Sequence, residues 1–259
     1  MNKVSAQRGW VVFDWANSAY SLVIVSTVFP QVFSAFISED AVFLGIDFHS
    51  SDALYTFSIC FSFFVISILS PFLSGIADFS NQKKRFMQFF TSLGCISCAC
   101  LYFFSPEYIW IGVLGAVLAS IGYSGSMVFY NAFLPEIAQE SEQDSLSAKG
   151  YSYGYVGSSL LLITLLVLVS FYEDLGFASE LGVFKWGFVL VGLWWFGWSR
   201  WTFKVLTDKP KANIPLGSTF KKGFQELQQV WKNVKNTRTI KQFLWAFFMT
   251  TLGLQTLII

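Results

Sequence analysis

Charged residues are scarce in this chain, and their scarcity decides the class of protein. Of the 259 residues only 13% are charged, whereas 54% are hydrophobic and 19% aromatic, and the mean hydropathy is +0.54. Soluble domains carry about 25% charged residues, so the composition excludes a globular enzyme with a solvated surface. Because the few charges also leave long apolar runs between them, the sequence predicts an all-α polytopic membrane protein.

Histidine and cysteine are also rare, which excludes several kinds of site. The single histidine is His49, and the four cysteines, Cys60, Cys95, Cys98 and Cys100, lie in apolar runs. Cys95 and Cys98 have the spacing of a metal or redox pair, but no second pair or histidine cluster accompanies them. We interpret them as small apolar-tolerant residues of a lipid-facing helix and predict no metal and no cofactor. The net charge of +1 gives no sign of a nucleic-acid partner.

The apolar runs divide the chain into parts. A membrane-spanning helix needs about 20 apolar residues, which predicts helices at residues 10–36, 53–77, 86–104, 108–132, 150–172 and 183–205. A seventh apolar run begins near Gln242 and reaches Ile259. We expect a six-helix bundle at 1–205, a cytoplasmic linker at 206–241 and the start of a second bundle at 242–259. A linker after six spans is typical of two-bundle transporters, so we interpret the chain as part of something larger.

Lysine and arginine predict the orientation. If the N-terminus is cytoplasmic, all of the 17 basic residues except Lys185 fall on the inner side. The predicted outer loops carry mainly acidic residues instead. The positive-inside rule therefore places the N-terminus in the cytoplasm.

The predicted connections differ in kind. A tight outer turn is expected at 105–107, and an acidic inner loop at 133–149. Within the linker, large apolar residues recur at steps of three and four, with basic residues on the other faces: Phe220, Phe224, Leu227, Trp231 and Val234. This pattern predicts an amphipathic helix at the inner membrane surface. A calmodulin-target helix would give the same pattern, but the membrane-surface helix is a sufficient explanation.

A polar stripe runs along the otherwise apolar first helix. Asp14, Asn17, Ser18 and Ser21 fall on one side of it at 100° per residue. An aspartate at the bilayer centre costs about 2.5–3.5 kcal/mol on insertion scales, so an acid in a span marks a functional site by default. Asp14 lies only about one helical turn from the start of the span, which favours an inner gate or proton relay, with Ser21 nearer the solute. The alternative is that Asp14 only hydrogen-bonds a neighbouring helix.

Polar or small residues also stand on the fourth and fifth helices. The fourth runs inward, so Tyr130 and Asn131 should reach the level of Asp14, as gate residues or as an interfacial anchor and cap. On the fifth, Gly150, Gly154 and Ser158 recur at steps of four. Such a small-residue face lets another helix backbone approach closely.

Two further clusters stand near helix ends. Asp78 precedes Lys83, Lys84 and Arg85 after the second helix, which predicts a charge lock between inner loops, although an ordinary positive-inside run is the alternative. The sixth helix is rich in tryptophan, with Trp186, Trp194, Trp195, Trp198 and Trp201. We interpret these tryptophans as lipid-facing and interfacial.

Four stretches together resemble a known family. They are Phe13-Asp-Trp-Ala-Asn-Ser-Ala-Tyr20, Leu73-Ser-Gly-Ile-Ala-Asp78 with the basic cluster after it, Tyr130-Asn-Ala-Phe-Leu-Pro-Glu136, and Ser147-Ala-Lys-Gly-Tyr-Ser-Tyr-Gly-Tyr-Val-Gly157. In this order they resemble the major facilitator superfamily. Within it they are similar to the vacuole-effluxer-like branch, which includes fungal vacuolar amino-acid exporters and bacterial members. The loop motif departs from the superfamily pattern at Ser74, Gly75, Phe79 and Asn81, which weakens the charge-lock role of Asp78.

The resemblance implies a twelve-helix fold of two six-helix bundles, in which the first and fourth helices line the pathway. The second and fifth helices would contact the missing C-terminal bundle. The function implied is secondary active transport of a small solute, such as an amino acid, across a bacterial cell membrane. From the polar stripe we further expect that Asp14 is a protonatable gate residue that couples transport to protons. A non-transporting half-protein that pairs with or regulates another bundle is the alternative. An intramembrane enzyme lacks any motif, and no pore-filter pattern supports a channel.

Overall fold

The computed structural model describes residues 2–37, 41–79, 82–208 and, after these, 235–243, 245–246 and 249–250. The first helical stretch consists of α1 (Lys3–Ala19), a π-helical segment (Tyr20–Val28) and α2 (Phe29–Phe36). The strands β1 (Ala41–Phe43) and β2 (Ile46–Phe48) follow. The remaining helices are α3 (Ser51–Phe79), α4 (Lys83–Cys100) with a short 3₁₀ turn (Leu101–Phe103), α5 (Ile109–Ile137), α6 (Glu140–Ser170) and α7 (Glu180–Val205).

Six helical stretches in the described part of the chain are long and apolar enough to cross a membrane. They are Lys3–Phe36, Ser51–Ser70, Lys83–Phe103, Ile109–Ile137, Glu140–Ser170 and Glu180–Val205. Each overlaps a predicted span, and the ends differ by up to ten residues, the largest difference being the start of the fifth span at Glu140 instead of 150. The prediction of an all-α bundle with six spans is therefore confirmed.

The predicted acidic inner loop at 133–149 is wrong. Helix α5 continues to Ile137 and α6 begins at Glu140, so only two residues, 138–139, connect them. The reason is a capping box, in which the backbone N–H of Gln139 donates to Oε2 of Glu142 at 3.0 Å. Glu140 and Glu142 in the first turn also oppose the positive end of the helix dipole. The acidic run that suggested a loop is thus the signature of a helix start.

A hairpin that the sequence pattern did not indicate lies between α2 and α3. Strands β1 and β2 pair antiparallel with Val42 opposite Asp47. The two turn residues, Leu44 and Gly45, have φ values of 53° and 77°. Positive φ at both central positions is the geometry of the tight turns that match strand twist.

Helix α1 runs through the core and joins two buried clusters. One cluster gathers aromatic side chains from α2, the 3₁₀ turn region and α7, including Phe29, Phe104 and Phe188. The other surrounds the N-terminal half of α1 and includes Trp10 and Phe129. Because α1 packs against α5, α6 and α7, a polar residue on it is enclosed by protein.

The expected lipid-facing positions of Cys95, Cys98 and Trp195 are wrong. Cys95 and Cys98 are buried in the first cluster, and the Trp195 side chain is completely buried. Trp195 fits because residue 94 is glycine: a Cβ there would overlap the indole ring. Because Gly94 of α4 has no side chain, the Trp195 indole of α7 packs against α4 inside the bundle. Trp186, Trp198 and Trp201 are exposed.

Two other predictions fall largely outside the described residues. The amphipathic segment with Phe220, Phe224, Leu227, Trp231 and Val234 lies wholly outside them. Of the seventh apolar run at 242–259, only residues 242–243, 245–246 and 249–250 are described, and these are helical. The division at 205 and 241 into bundle, linker and second bundle stays a prediction.

Candidate functional site

Asp14 lies enclosed at the junction of α1, α5 and α6. Its side chain belongs to a residue that is only 5% exposed, and Oδ2 accepts a hydrogen bond from the Tyr130 hydroxyl at 2.6 Å. A bond of this length from a hydroxyl to a carboxyl oxygen is in the range of charge-assisted hydrogen bonds. The structure thus brings together the acid of the first span and the tyrosine of the fourth.

Tyr130 is held in place by Trp10. The two rings stack with centroids 4.2 Å apart and planes at 12°, and the Trp10 indole N–H donates to the Tyr130 carbonyl oxygen at 3.0 Å. Phe13 packs on the same ring, with centroids 5.2 Å apart. Sequence analysis missed Trp10, although it stands four residues before Asp14 and hence on the same side of α1.

The small-residue face of α6 packs directly on the polar stripe. A Cβ at position 150 would overlap Oδ2 of Asp14, and one at position 154 would overlap the Ser18 hydroxyl oxygen. Ser158 is buried, and its hydroxyl donates to the Gly154 carbonyl oxygen at 2.8 Å. Gly150 and Gly154 therefore let α6 cover the Asp14 side of α1 at a distance that no other residue type permits.

The other polar residues of the stripe make hydrogen bonds of their own, one to α5 and the others to neighbouring residues of the stripe. The Asn17 side-chain amide donates to the Met127 sulfur at 3.1 Å, and Asn17 is 1% exposed. The Ser18 hydroxyl lies 3.5 Å from Oδ1 of Asn17, and the Ser21 hydroxyl donates to the Ser18 carbonyl oxygen at 3.0 Å. A search of the sequence for polar residues could not identify Met127 as the partner of Asn17, because methionine is an apolar residue whose thioether is only a weak hydrogen-bond acceptor.

Asn131 does not share this position. It is exposed on α5, whereas its neighbour Tyr130 is 1% exposed. Adjacent residues of a helix point about 100° apart, so only one of the two can face α1. Of the predicted gate residues, Asn131 is the one that the structure leaves outside the cluster.

A π-helical segment begins within the stripe, at Tyr20, and includes Ser21. The hydroxyls of Ser26 and Thr27 donate to the carbonyl oxygens five residues earlier, at 3.0 and 2.8 Å, and the Tyr55 hydroxyl of α3 donates to the Val25 carbonyl oxygen at 2.6 Å. Wider helical turns leave backbone carbonyls that need such partners, and π segments occur mostly at functional positions. The segment itself contains no glycine or proline, but Pro30, two residues after it, has no N–H to donate to the Ser26 carbonyl oxygen and is a local reason for the irregular turn.

The basic cluster at the start of α4 joins three helix ends. Lys83 Nζ lies 2.9 Å from Oε1 of Glu136 on α5, and the two side chains are 12% and 18% exposed. The backbone N–H of Lys84 donates at 3.0 Å to Oδ1 of Asp208, just after α7. Arg85 is exposed. The side chain of Asp78 lies outside the described residues, so its part in the predicted charge lock stays a prediction.

Asp208 was not predicted as part of this cluster. Its carboxylate caps the first turn of α4, where backbone N–H groups lack partners within the helix. Partial burial raises the pKa of the Asp208 carboxyl above its ordinary value, although the Lys84 N–H acts in the opposite direction.

Comparison with known proteins places this chain in a family. Residues 2–259 match the family described as Vacuole effluxer Atg22 like. The chain is 31% identical over 260 residues to the uncharacterized MFS-type transporter YxiO of Bacillus subtilis (strain 168), covering 97% of this chain and 58% of that protein. It is 22% identical over 316 residues to autophagy-related protein 22-1 of Aspergillus niger, covering 93% and 50%. No solved structure matches the chain.

The match extends over nearly the whole chain, but the chain spans about half the length of these two relatives. The six spans agree with a multi-pass membrane protein, and the relatives are named as a transporter and as autophagy proteins. The chain therefore belongs to the Atg22-like vacuole effluxer family, an MFS-type family of membrane transporters.

Proposed function

We propose that the chain forms the N-terminal bundle of a secondary active transporter that moves a small solute of amino-acid type by alternating access. Asp14 is its protonatable gate residue. The family match supports membrane transport, and the buried Asp14–Tyr130 hydrogen bond is the observation that carries the gate.

The setting of Asp14 supports a change of protonation during transport. Among the described residues, no lysine, arginine or histidine forms an ion pair with it. A buried carboxylate without a counter-cation is costly, and uptake of a proton removes that cost. The neutral acid also accepts a weaker hydrogen bond than the carboxylate does. Protonation would thus loosen the contact between α1 and α5.

Access to Asp14 depends on α6. Because Gly150 covers the carboxyl group, a proton or solute reaches Asp14 only when α6 moves relative to α1. The two bundles of such a transporter rock against each other as largely rigid bodies in alternating access. This proposal adds a movement within one bundle: the α1–α6 contact is closed in one state and open in the other, and the charge of Asp14 shifts the equilibrium between the two states.

The solute lies beyond Asp14 along the stripe. Ser18 and Ser21 are only partly buried; Ser18 precedes the π-helical segment Tyr20–Val28, and Ser21 lies in its first turn. Irregular helical backbone near the midplane forms the substrate and coupling-ion sites of many transporters. These hydroxyls and carbonyls suit the ammonium and carboxylate groups of an amino acid.

The experiment replaces Asp14→Asn in the complete protein, reconstituted in vesicles with an imposed pH gradient. We expect solute movement driven by the gradient to be abolished, because asparagine cannot exchange a proton. Asp52→Asn, which removes an exposed carboxylate at the start of α3, is the matched control and should transport normally. Unchanged gradient dependence in the Asp14 variant would remove the coupling role.

A second candidate is a half-protein that pairs with another bundle without transporting. Exposed aromatic side chains on α3 favour pairing, since Phe57, Phe61 and Phe64 are 46%, 47% and 62% exposed. Size measurement of the detergent-solubilised 259-residue chain separates the two candidates. A stable dimer with no solute flux would favour the half-protein, and a monomer would favour the transporter bundle.

A further inference from the structure

A groove opens at the end of the bundle where α6 begins and α7 ends. At the opposite end these two helices touch, since a Cβ on Gly187 of α7 would lie 2.9 Å from the Leu165 side chain of α6. Near their other ends they instead form the walls of a groove of about 570 Å³ whose floor is α1. None of the residues of the Asp14 cluster lines it.

The lining combines two cations with an apolar floor. Arg8 of α1 and Lys149 of α6 are both exposed and both line the groove. Between them lie apolar side chains of the same two helices, including Val12 and Leu146, and Trp201 of α7 completes the wall.

The positive charge of the groove is uncompensated within the described residues. The carboxylate of Glu142, seven residues before Lys149, is held by Lys3 at 2.7 Å. Neither Arg8 nor Lys149 forms an ion pair in the part of the chain that the structure describes. Lys149 contacts only the ring of Tyr153, with Nζ 6.0 Å from the ring centroid, a cation–π distance that leaves its N–H donors available.

We propose that this groove binds one anionic phospholipid from the leaflet at this end of the bundle. Its phosphate lies between Arg8 and Lys149, at the level of Val12 and Leu146, and an acyl chain runs past Tyr153, four residues further into the span than Lys149. Basic pockets between membrane helices favour anionic headgroups, and tryptophan favours the headgroup level of the bilayer.

Charge complementarity also favours an anionic lipid over the chain's own linker, residues 209–234, as the occupant of the groove. Residues 209–234 contain five lysines and one glutamate. A segment that basic would meet repulsion from Arg8 and Lys149, whereas a phosphodiester would be attracted by both.

The test uses the purified 259-residue chain, delipidated in neutral detergent. It is titrated with phosphatidylglycerol or with phosphatidylcholine of the same acyl chains, and bound lipid is counted by native mass spectrometry. Soluble glycerol phosphate forms a third arm and separates a lipid site from a simple phosphate site. The variant is Arg8→Gln with Lys149→Gln. The matched control, Arg200→Gln with Lys204→Gln, removes two exposed charges from the same end of α7 outside the groove.

We expect one phosphatidylglycerol to bind at least about tenfold more tightly than phosphatidylcholine, since each basic residue near the surface contributes to attraction of anionic lipid. The groove variant should lose this preference and the control should keep it. Each single substitution, Arg8→Gln or Lys149→Gln, should lose part of it, which keeps the test open if the double variant misfolds. Equal binding of both lipids, equal loss in the control, or full competition by glycerol phosphate would overturn the proposal.

Discussion

Gly150 of α6 lies against the carboxyl group of Asp14 of α1 so closely that a Cβ atom at position 150 would overlap Oδ2. The contact joins two features that look unrelated in the sequence, a glycine in a small-residue row and an acid in an apolar span. Helix α6 can cover Asp14 this closely only because residue 150 carries no side-chain methyl group.

Gly150→Ala should separate α6 from α1. Inserting a methylene into a well-packed contact typically costs about 1–3 kcal/mol, and here the displaced group is a carboxyl fixed by Tyr130. Thermal unfolding in detergent should show a lower midpoint. Gly197→Ala on α7 is the matched control, because nothing lies within 4 Å of its Cβ position. Both substitutions bring the same gain in helix propensity, about 1 kcal/mol, so equal midpoints of the two variants would show that the α1–α6 contact relaxes without cost.

Tyr130→Phe should remove the hydrogen bond to Asp14 and leave the ring in place. The stacking on Trp10, with centroids 4.2 Å apart, does not involve the hydroxyl. A hydrogen bond to a charged group contributes about 1.5–3 kcal/mol. We therefore expect a loss of stability in this range at neutral pH if Asp14 is ionised there, and a smaller loss if it is protonated.

A double-mutant cycle isolates this bond. Unfolding is measured for Tyr130→Phe, for Asp14→Asn and for the two combined, and residues in contact give coupling energies of about 0.5–3 kcal/mol. Tyr151→Phe serves as the control partner, because Tyr151 is 64% exposed on α6. Strict additivity of Tyr130→Phe and Asp14→Asn would show that the 2.6 Å bond contributes nothing to stability.

The architecture and the main site pair could be predicted because the bilayer imposes them. Span length follows from membrane thickness, and the opposite directions of the first and fourth spans put Asp14 and Tyr130 at one level. The hydrogen bond between them agrees with that expectation, although their role in a gate stays a proposal. The loop at 133–149 was mispredicted because an acidic run signals either a loop or a helix start, and only the cap at Gln139 decides.

The remaining contacts depend on distant parts of the chain. Met127 lies 110 positions from Asn17, and Asp208 lies 124 positions from Lys84. No local periodicity encodes such pairs. The contact of the π-helical segment with Tyr55 is of the same kind, since the Tyr55 hydroxyl donates to the carbonyl oxygen of Val25, 30 positions earlier.

The proposed orientation predicts which surface positions can be labelled from outside. In a variant without native cysteines, Glu107→Cys in the turn before α5 should react with a membrane-impermeant maleimide in intact cells. Ser141→Cys in the first turn of α6 should react only after permeabilisation. Both residues are exposed, so exposure does not separate them. The reverse pattern would place the N-terminus outside and overturn the positive-inside assignment.

Asp208 should influence stability in two ways that can be separated by substitution. As a cap on the Lys84 N–H it stabilises the start of α4, so Asp208→Ala should lower stability by about 1 kcal/mol. Asp208→Asn keeps a side-chain oxygen that can accept the same bond. The Asp208→Asn variant should therefore lose little stability, and its side chain cannot ionise.

The second effect is a pH dependence whose sign follows from burial. Because burial raises the pKa of Asp208, the folded chain holds this proton more tightly than the unfolded chain does. The resulting stabilisation is fully present below the unfolded-state pKa, about 3.9 for aspartate, and is lost as the pH rises through the folded-state pKa. The melting point of the wild type should therefore fall relative to that of Asp208→Asn as the pH is raised from about 4 towards neutrality. A difference that is constant with pH would mean that the carboxylate is as well stabilised beside α4 as it is in water.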